Sequence, residues 1–504
     1  MTFLSRMAGF VRDLLQASLF GTGAAVSAFV VAYRIPNYLR RIFAEGSFSS
    51  AFVPVLSELK ETGDDAQVQD FLDHIAGALL AVVLVVTALG IAFSPIIAQI
   101  FLAFADKDSE QVALTADMLR ITFPYLTFIS MTALAGSVMN SFRHFGLPAF
   151  IPVLHNIAII FAMLALAQYF EVPAYALAWG VFLAGLLQFC VMWPALGRFG
   201  FKPKLKLNFK HPGVQRVFKL MLPTIFSSSV AQLNLLVGTI FASLLVANAQ
   251  SWLYYSDRLT EFPLGLFGVA IGTVILPHLS RQHAAQDSKG YNHALDWGLR
   301  MVCFIGIPAA VGLVFLAEPV CASLFQYGKF TQQDTRMVSA AVSAMSIGIP
   351  AFMLSKVLLP AFYSRHDTKT PMKVAMWTVL VNVLLIALFV SLLQYYGSAF
   401  GHVGIALATA LAGIFNAAAL WWCLGREGVY SPEPGWVKWM LKIAGASVLM
   451  GIALLSIRWY VGDWRLLPGF WRLAWLFAAV AAGGSAYLAS HWVFGLRLTH
   501  LREV

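Results

Sequence analysis

VAMWTVLVNVLLIALFVSLLQYYGSAFGHVGIALATALAGIFNAAALWWCLG, residues 374 to 425, holds no aspartate, glutamate, lysine or arginine. A helix crossing the hydrocarbon core of a bilayer needs about 20 apolar residues, so this stretch is too long for one span and long enough for two. The run from Gly397-Ser398 to Gly401-His402 supplies the turn between them. Charge-free windows recur at Ile75–Ala105, Val172–Gly197, Leu220–Ser256 and Leu473–Leu496, and the third of these breaks at Ala247-Asn248-Ala249-Gln250-Ser251.

Composition agrees with this reading. Hydrophobic residues make up 59% of 504, and charged residues only 12%, against about 25% in an ordinary soluble domain. Too few charges remain to cover a soluble surface. The chain therefore reads as an all-α integral membrane protein with fourteen transmembrane helices, near 2–23, 25–57, 75–103, 112–141, 148–169, 173–196, 220–246, 249–278, 297–322, 337–363, 373–395, 402–424, 437–460 and 470–494. The charges at Arg6, Arg12 and Asp13 interrupt any signal-peptide core, so the first helix is expected to stay in the protein.

A net charge of +10 invites a nucleic-acid reading, but no basic helix, zinc spacing or aromatic-basic sheet motif accompanies it. Basic cytoplasmic loops explain the excess. Arg143, the 198–219 cluster, Arg281 with Lys289, Arg365 with Lys369 and Lys373, and Arg426 with Lys438 fall in one set of alternate loops; Lys107, Lys329 and Arg465 fall in the other. With an even helix count both termini are cytoplasmic, and Arg497 and Arg502 agree. Cys190, Cys303, Cys321 and Cys423 have no CxxC spacing and read as small core residues. His74, His144, His155 and His278 show no metal-ligand spacing or acid pairing, and no metal or cofactor is expected.

The chain resembles itself at an offset of 223. Ala51–Ser57 aligns with Val274–Ser280, matching Pro54 to Pro277, and Ser141–His144 resembles Tyr363–His366 at the same offset to within a residue. An offset of six helices preserves orientation. Two parallel six-helix lobes follow, residues 1–210 and 211–430, with two extra helices in 431–504. Internal repeats around a central site are the architecture of secondary transporters. The same register puts the break between the first two helices at Gly21-Thr22-Gly23, leaving Arg6 and Arg12 inside a span.

Charges at membrane depth are costly and mark functional sites. They gather in three places: Arg6, Arg12 and Asp13; Arg34, Arg40, Arg41 and Glu45 around Pro36-Asn37; and Asp257, Arg258 and Glu261 before Pro263. Structural ion pairs could account for the last group. In the first two, five arginines face two acids, and that surplus implies an anionic guest. Arginine binds phosphate oxygens through a planar fork and stays charged in a low-dielectric site. Lys356 could join from the other lobe or snorkel to the membrane surface. An enzyme would need acidic clusters for a divalent metal; Glu61-Thr-Gly-Asp64-Asp65 is the one candidate and reads as a solvated linker. Transport is favoured over catalysis.

At these residues the chain resembles the MurJ (MviN) family of lipid II flippases, within the MOP superfamily that includes MATE exporters. The resemblance rests on Ser5–Asp13, on Arg34-Ile-Pro36-Asn37-Tyr-Leu-Arg40-Arg41 through Gly46, on Trp252–Pro263 and on Gln326–Phe330, and extends over the whole chain. It implies a bacterial inner-membrane transporter that moves undecaprenyl-pyrophosphate-linked disaccharide pentapeptide from the cytoplasmic to the periplasmic leaflet by alternating access. It also implies that Arg6, Arg12, Arg40 and Arg258 line a central cavity, with Asn37 and Glu261 joining them at the substrate. Asp13, Arg34, Arg41, Glu45, Asp257 and Lys356 would be supporting charges, and the two C-terminal helices would form a groove for the lipid tail. Expected partners are lipid II, membrane lipids and other cell-wall synthesis proteins, with the chain a monomer and the membrane potential or an ion gradient as the energy source. Many relatives carry an acid where Ser27 stands and begin before Met1. Some bind sodium through an acid in the seventh helix, where this chain offers only Gln232 and Asn234, so no sodium is expected. The competing reading is a flippase for another undecaprenyl-pyrophosphate-linked oligosaccharide, or a MATE-like exporter.

Overall fold

The computed structural model describes residues 2–41, 47–105 and 109–495, with side chains placed for 4–41, 48–105, 109–222, 225, 236–268 and 270–495. Among these every regular element is helical. The chain divides into two compact units, Met1–Ser251 and Trp252–Val504. The first holds α1 (Thr2–Phe20), α2 (Ala24–Arg40), α3 (Ser47–Thr62), α4 (Asp65–Ala92), α5 (Ser94–Phe101), α6 (Glu110–Thr122), α7 (Pro124–Ser141), α8 (Gly146–Leu166), α9 (Tyr175–Arg198) and α10 (Pro212–Ala242). The second holds most of α11 (Ala249–Pro263), then α12 (Val269–Ala284), α13 (Ser288–Leu324), α14 (Gln332–Ser346), α15 (Ile349–Tyr363), α16 (Lys369–Tyr395), α17 (Gly401–Arg426), α18 (Trp436–Val461) and α19 (Gly469–Val493).

Ten helical stretches among the described residues are long and apolar enough to cross a membrane, or eleven with α14 and α15, which meet at a 45° bend, taken as one. Several predicted segments are not single straight helices. The third breaks at Phe93 ahead of Ser94-Pro95, and the fourth at Phe123 ahead of Pro124. The tenth breaks between Ser346 and Ile349, ahead of Pro350. Proline lacks the N–H that an α-helix needs and its ring clashes one turn back. The eighth segment continues from Pro263 through a π-turn, Leu264–Gly268, into α12. The second contains α2 and most of α3, on either side of residues 42–46, which lie outside the described residues. The break between α1 and α2 falls at Gly21-Thr22-Gly23, where Gly21 takes φ 68°, a left-handed conformation that glycine adopts without a Cβ clash.

Both units bury an aliphatic and aromatic core. In the first, Phe48, Phe52 and Phe71 stack in series from α3 to α4, at centroid distances of 5.2 and 5.7 Å. A second cluster joins α2, α6, α7 and α9 around Phe29, Phe123 and Val181. In the second unit, Leu295, Ile349, Leu358 and Leu420 unite α13, α15 and α17. The face of α16 carrying Met376, Leu380, Leu384, Leu388 and Leu392 is exposed. Its i, i+4 spacing makes it one apolar ridge, suited to lipid rather than water. Cys303 and Cys321 are buried core residues.

The 223-residue offset is written in backbone hydrogen bonds. Asp64 caps α4 by accepting from the Gln67 N–H, and Asp287 caps α13 by accepting from the Gly290 N–H. At the end of α7 the His144 N–H donates to the Met139 carbonyl at 2.8 Å; at the end of α15 the Asp367 N–H donates to the Phe362 carbonyl at 3.0 Å. Arg143 and His366 both take positive φ, 65° and 61°. The match therefore pairs Arg143 with His366 rather than with the identical Arg365.

Two buried carboxylates, Asp73 and Asp296, hold this register and were not singled out in the sequence. Asp73 accepts from the Lys204 N–H (2.9 Å) and from Gln69 (2.7 Å), pinning the strap after α9 across α4. The strap crosses so closely that a Cβ on Gly77 would lie 2.3 Å from the Lys206 carbonyl oxygen. Asp296 accepts from the Tyr430 hydroxyl (2.6 Å), Trp436 Nε1 (2.6 Å), the Glu433 N–H (3.2 Å) and Arg300 Nε (2.6 Å), pinning the strap after α17. Asp296→Ala strands a half-buried arginine and two aromatic donors. The expected cost is about 3 kcal/mol, a melting temperature roughly 3–6 °C lower for the detergent-solubilised protein. A shift of a degree or less would show that the clamp is not what holds the strap.

Candidate functional site

Arg12 is the most deeply placed arginine of the predicted set, 7% exposed, with Asp13 at 5%. Its Nη2 and Nε donate to Asp13 Oδ1 at 2.7 and 3.1 Å, and its Nη1 donates to Asn156 Oδ1 at 3.1 Å. Asn156 projects from α8 and is held in turn, its Nδ2 donating to the Ser5 and Pro152 carbonyls at 3.3 and 3.0 Å. Gly9 faces Asn156 with room to spare, since a Cβ there would meet Asn156 Nδ2 at 3.6 Å, an ordinary contact. A buried charge is tolerated only when paired and hydrogen-bonded; Asp13 and Asn156 meet that condition and aim the guanidinium. Arg6, one and a half turns earlier on α1, is exposed.

On α2, Arg34 Nη1 donates to Thr239 Oγ1 of α10 at 2.7 Å, and Arg40 Nε donates to Asn37 Oδ1 at 2.9 Å. Arg34, Asn37 and Arg41 lie at i, i+3 and i+7, one face of the helix. All four side chains are partly or fully exposed. Ser27 is fully buried, and its hydroxyl shares a 2.7 Å hydrogen bond with that of Ser251. Two neutral hydroxyls need no counter-charge. Glu45 lies outside the described residues, as do the side chains of Gln232 and Asn234.

The third group sits in the second unit. Arg258 Nη1 donates to Glu261 Oε2 at 3.3 Å, and its guanidinium lies 5.0 Å over the Tyr254 ring. Both charged side chains are at least a third exposed, so the pair contributes little to stability. The helix beneath them is firmly anchored: Trp252 Nε1 donates to Asp334 Oδ1 at 3.0 Å, and the Ser256 hydroxyl donates to carbonyls of Trp252 and Val338. Asp334 also closes the capping box that starts α14. Asp257 is partly exposed and Lys356 is exposed on α15. The Lys356 backbone packs on α12, 2.9 Å from where a Cβ on Gly272 would stand.

Sequence reasoning missed Asn156, Thr239 and Asp334, each a polar residue whose partner is distant in the chain. It also read His74 as lacking an acid partner. In the structure His74 Nδ1 stands 3.4 Å from Asp70 Oδ2, and His211 Nε2 stands 3.4 Å from the same oxygen. Nearby, Lys206 Nζ lies 3.0 Å from Asp73 and 3.3 Å from Asp70, and these hydrogen bonds hold its ammonium above the usual lysine range.

The family model for lipid II flippase MurJ matches residues 16–474. A probable lipid II flippase MurJ of Vibrio cholerae serotype O1 is 42% identical over 100% of this chain and 96% of its own length. A lipid II flippase MurJ of Burkholderia cenocepacia is 40% identical, over 100% and 97%. Among solved structures, a lipid II flippase MurJ in an inward closed conformation superposes with a TM-score of 0.81 at 28% identity, covering 100% of this chain and 98% of that one. An inward-facing multidrug resistance MATE family transporter of the MOP superfamily matches at a TM-score of 0.67 and 14% identity, over 84% and 94%, a likeness of fold alone.

Removing Arg12 and Asp13 separately and together measures how far this arginine is structural. A double-mutant cycle on Arg12→Ala and Asp13→Ala, followed by thermal unfolding in detergent, is expected to give a coupling of about 1–3 kcal/mol. Additive losses would show that Asp13 does not hold the guanidinium.

Proposed function

The chain belongs to the lipid II flippase MurJ family, and from that premise we propose that its arginine surplus captures the pyrophosphate of lipid II while the molecule crosses the membrane. The protein is a multi-pass bacterial inner-membrane transporter of a family without catalytic members, and it flips lipid II from the cytoplasmic to the periplasmic leaflet by alternating access. The observation that carries the capture is Arg12, a buried guanidinium held in place by Asp13 and Asn156. A fixed fork loses little freedom on meeting phosphate oxygens, and charge-assisted bonds of this kind are roughly twice as strong as neutral ones. Arg6 and Arg40 are accessible guanidiniums in the same unit, and Asn37 steadies Arg40. The family resemblance brings Arg258 and Glu261 into the same role. Asp13, Arg34, Arg41, Glu45, Asp257 and Lys356 would tune the local potential.

The same proposal includes fourteen spans with cytoplasmic termini. Support comes from basic residues at the ends of α9, α12 and α17, which fall on one set of alternate loops. Functional lobes at 1–210 and 211–430, with 431–504 as a tail-binding pair, follow the repeat rather than the compact units. A monomer suffices for this scheme, and other cell-wall synthesis proteins are the partners to look for. No cofactor is required. An inside-negative potential acts on a net positive binding group at about 2.3 kcal/mol per charge per 100 mV, so the potential or an ion gradient is the energy source to test.

Depletion in cells separates this reading from export of another lipid-linked oligosaccharide. Lipid II is expected to accumulate in the cytoplasmic leaflet, with loss of peptidoglycan. Normal wall synthesis with a missing surface polysaccharide would favour the other substrate. Complementation with Arg12→Ala plus Arg258→Ala is expected to fail at wild-type protein levels; unchanged flipping would overturn the arginine mechanism.

A further inference from the structure

A cluster of two histidines and an acid stands on α4 and at the start of α10, elements that carry none of the arginines proposed for capture. We propose that Asp70, His74 and His211 form a binding site for a divalent transition-metal ion of the Zn2+, Co2+ or Ni2+ class. One ligand atom from each lies within 4.8 Å of the others. Asp70 and His74 are four residues apart on α4, hence on one face, and His211 is the N-cap of α10. The imidazoles stack at 4.7 Å with planes 15° apart, and each brings one ring nitrogen to 3.4 Å from Asp70 Oδ2. Their side chains are only 14% and 21% exposed, while Asp70 is 48% exposed, which leaves a path for the ion. Two imidazole nitrogens and one carboxylate oxygen suit borderline metals, with water in the remaining positions.

The protons also balance. At present His74 Nδ1 donates to the Asp70 carbonyl oxygen at 2.8 Å, and His211 Nδ1 accepts from the Gly213 N–H at 3.2 Å. Binding takes lone pairs from Asp70 Oδ2, His74 Nδ1 and His211 Nε2. Each neutral ring moves its one proton to the opposite nitrogen, and a protonated ring releases one to water. Two hydrogen bonds are given up, His74 Nδ1 to the Asp70 carbonyl and the Gly213 N–H to His211 Nδ1. No oxidant or reductant is involved. Lys206, 3.3 Å from Asp70 Oδ1, places a positive charge beside the site and weakens it; Asp73, paired with the same ammonium at 3.0 Å, offsets part of that charge. An ion here would tie the segment leading into α10 to α4, adding to the Asp73 clamp.

The test is a Co2+ titration of the tag-free full chain in detergent, read by visible d–d absorption and by metal analysis. One ion per chain is expected, with binding at least about tenfold weaker in His74→Ala and in His211→Ala. Lys206→Gln is expected to bind several-fold more tightly, a gain that misfolding cannot produce. Absence of saturable one-to-one binding overturns the proposal, as does binding that His74→Ala and His211→Ala leave unchanged.

Discussion

A guanidinium inside an apolar helical bundle must find its counter-charge and hydrogen bonds within the protein, because lipid offers neither. Arg12 meets that constraint through the neighbouring carboxylate of Asp13 and the amide of Asn156 on α8. The same asparagine ties α8 to α1, its amide donating to the carbonyls of Ser5 and Pro152. The remaining arginines of α1 and α2 are more open, and they are steadied by neutral groups such as Thr239 and Asn37.

The repeat supplies the scaffold. Asp64 and Asp287 begin corresponding long helices, Asp73 and Asp296 clamp the straps that return across them, and Arg143 and His366 end corresponding helices in left-handed turns. The two copies solve the clamp with different chemistry. Asp73 accepts a backbone N–H and an amide and faces a lysine, whereas Asp296 gathers two aromatic donors and an arginine. Conserving the carboxylate's geometry while its partners change is what a duplicated helix pair with divergent straps would produce.

Much of this was legible in the sequence, and what was missed has physical causes. Charge-free windows locate helices because a span has to be apolar over its whole length, and the Gly21-Thr22-Gly23 break followed from the repeat offset. The interruptions at Pro124 and Pro350 were not foreseen, because proline is frequent in membrane helices and hydropathy does not register it. The repeat was matched one residue out at Arg365, where side-chain identity outweighed backbone geometry; φ at His366 corrects it. Arg12 was legible as a charge out of place. Asn156 was not, since a single asparagine in an apolar helix carries no spacing signal. Asp70 and His74 had helical spacing, but His211 completes the group only in three dimensions.

In this scheme the arginines recognise the pyrophosphate rather than the sugar or peptide. Equilibrium competition between lipid II and undecaprenyl pyrophosphate lacking the disaccharide pentapeptide, on the purified chain, tests this most directly. The account predicts that the bare pyrophosphate lipid displaces lipid II at concentrations within about tenfold of lipid II itself, a difference of roughly 1.4 kcal/mol, and that Arg12→Gln weakens both alike. Failure of undecaprenyl pyrophosphate to compete, or weakening of lipid II alone by Arg12→Gln, would contradict it.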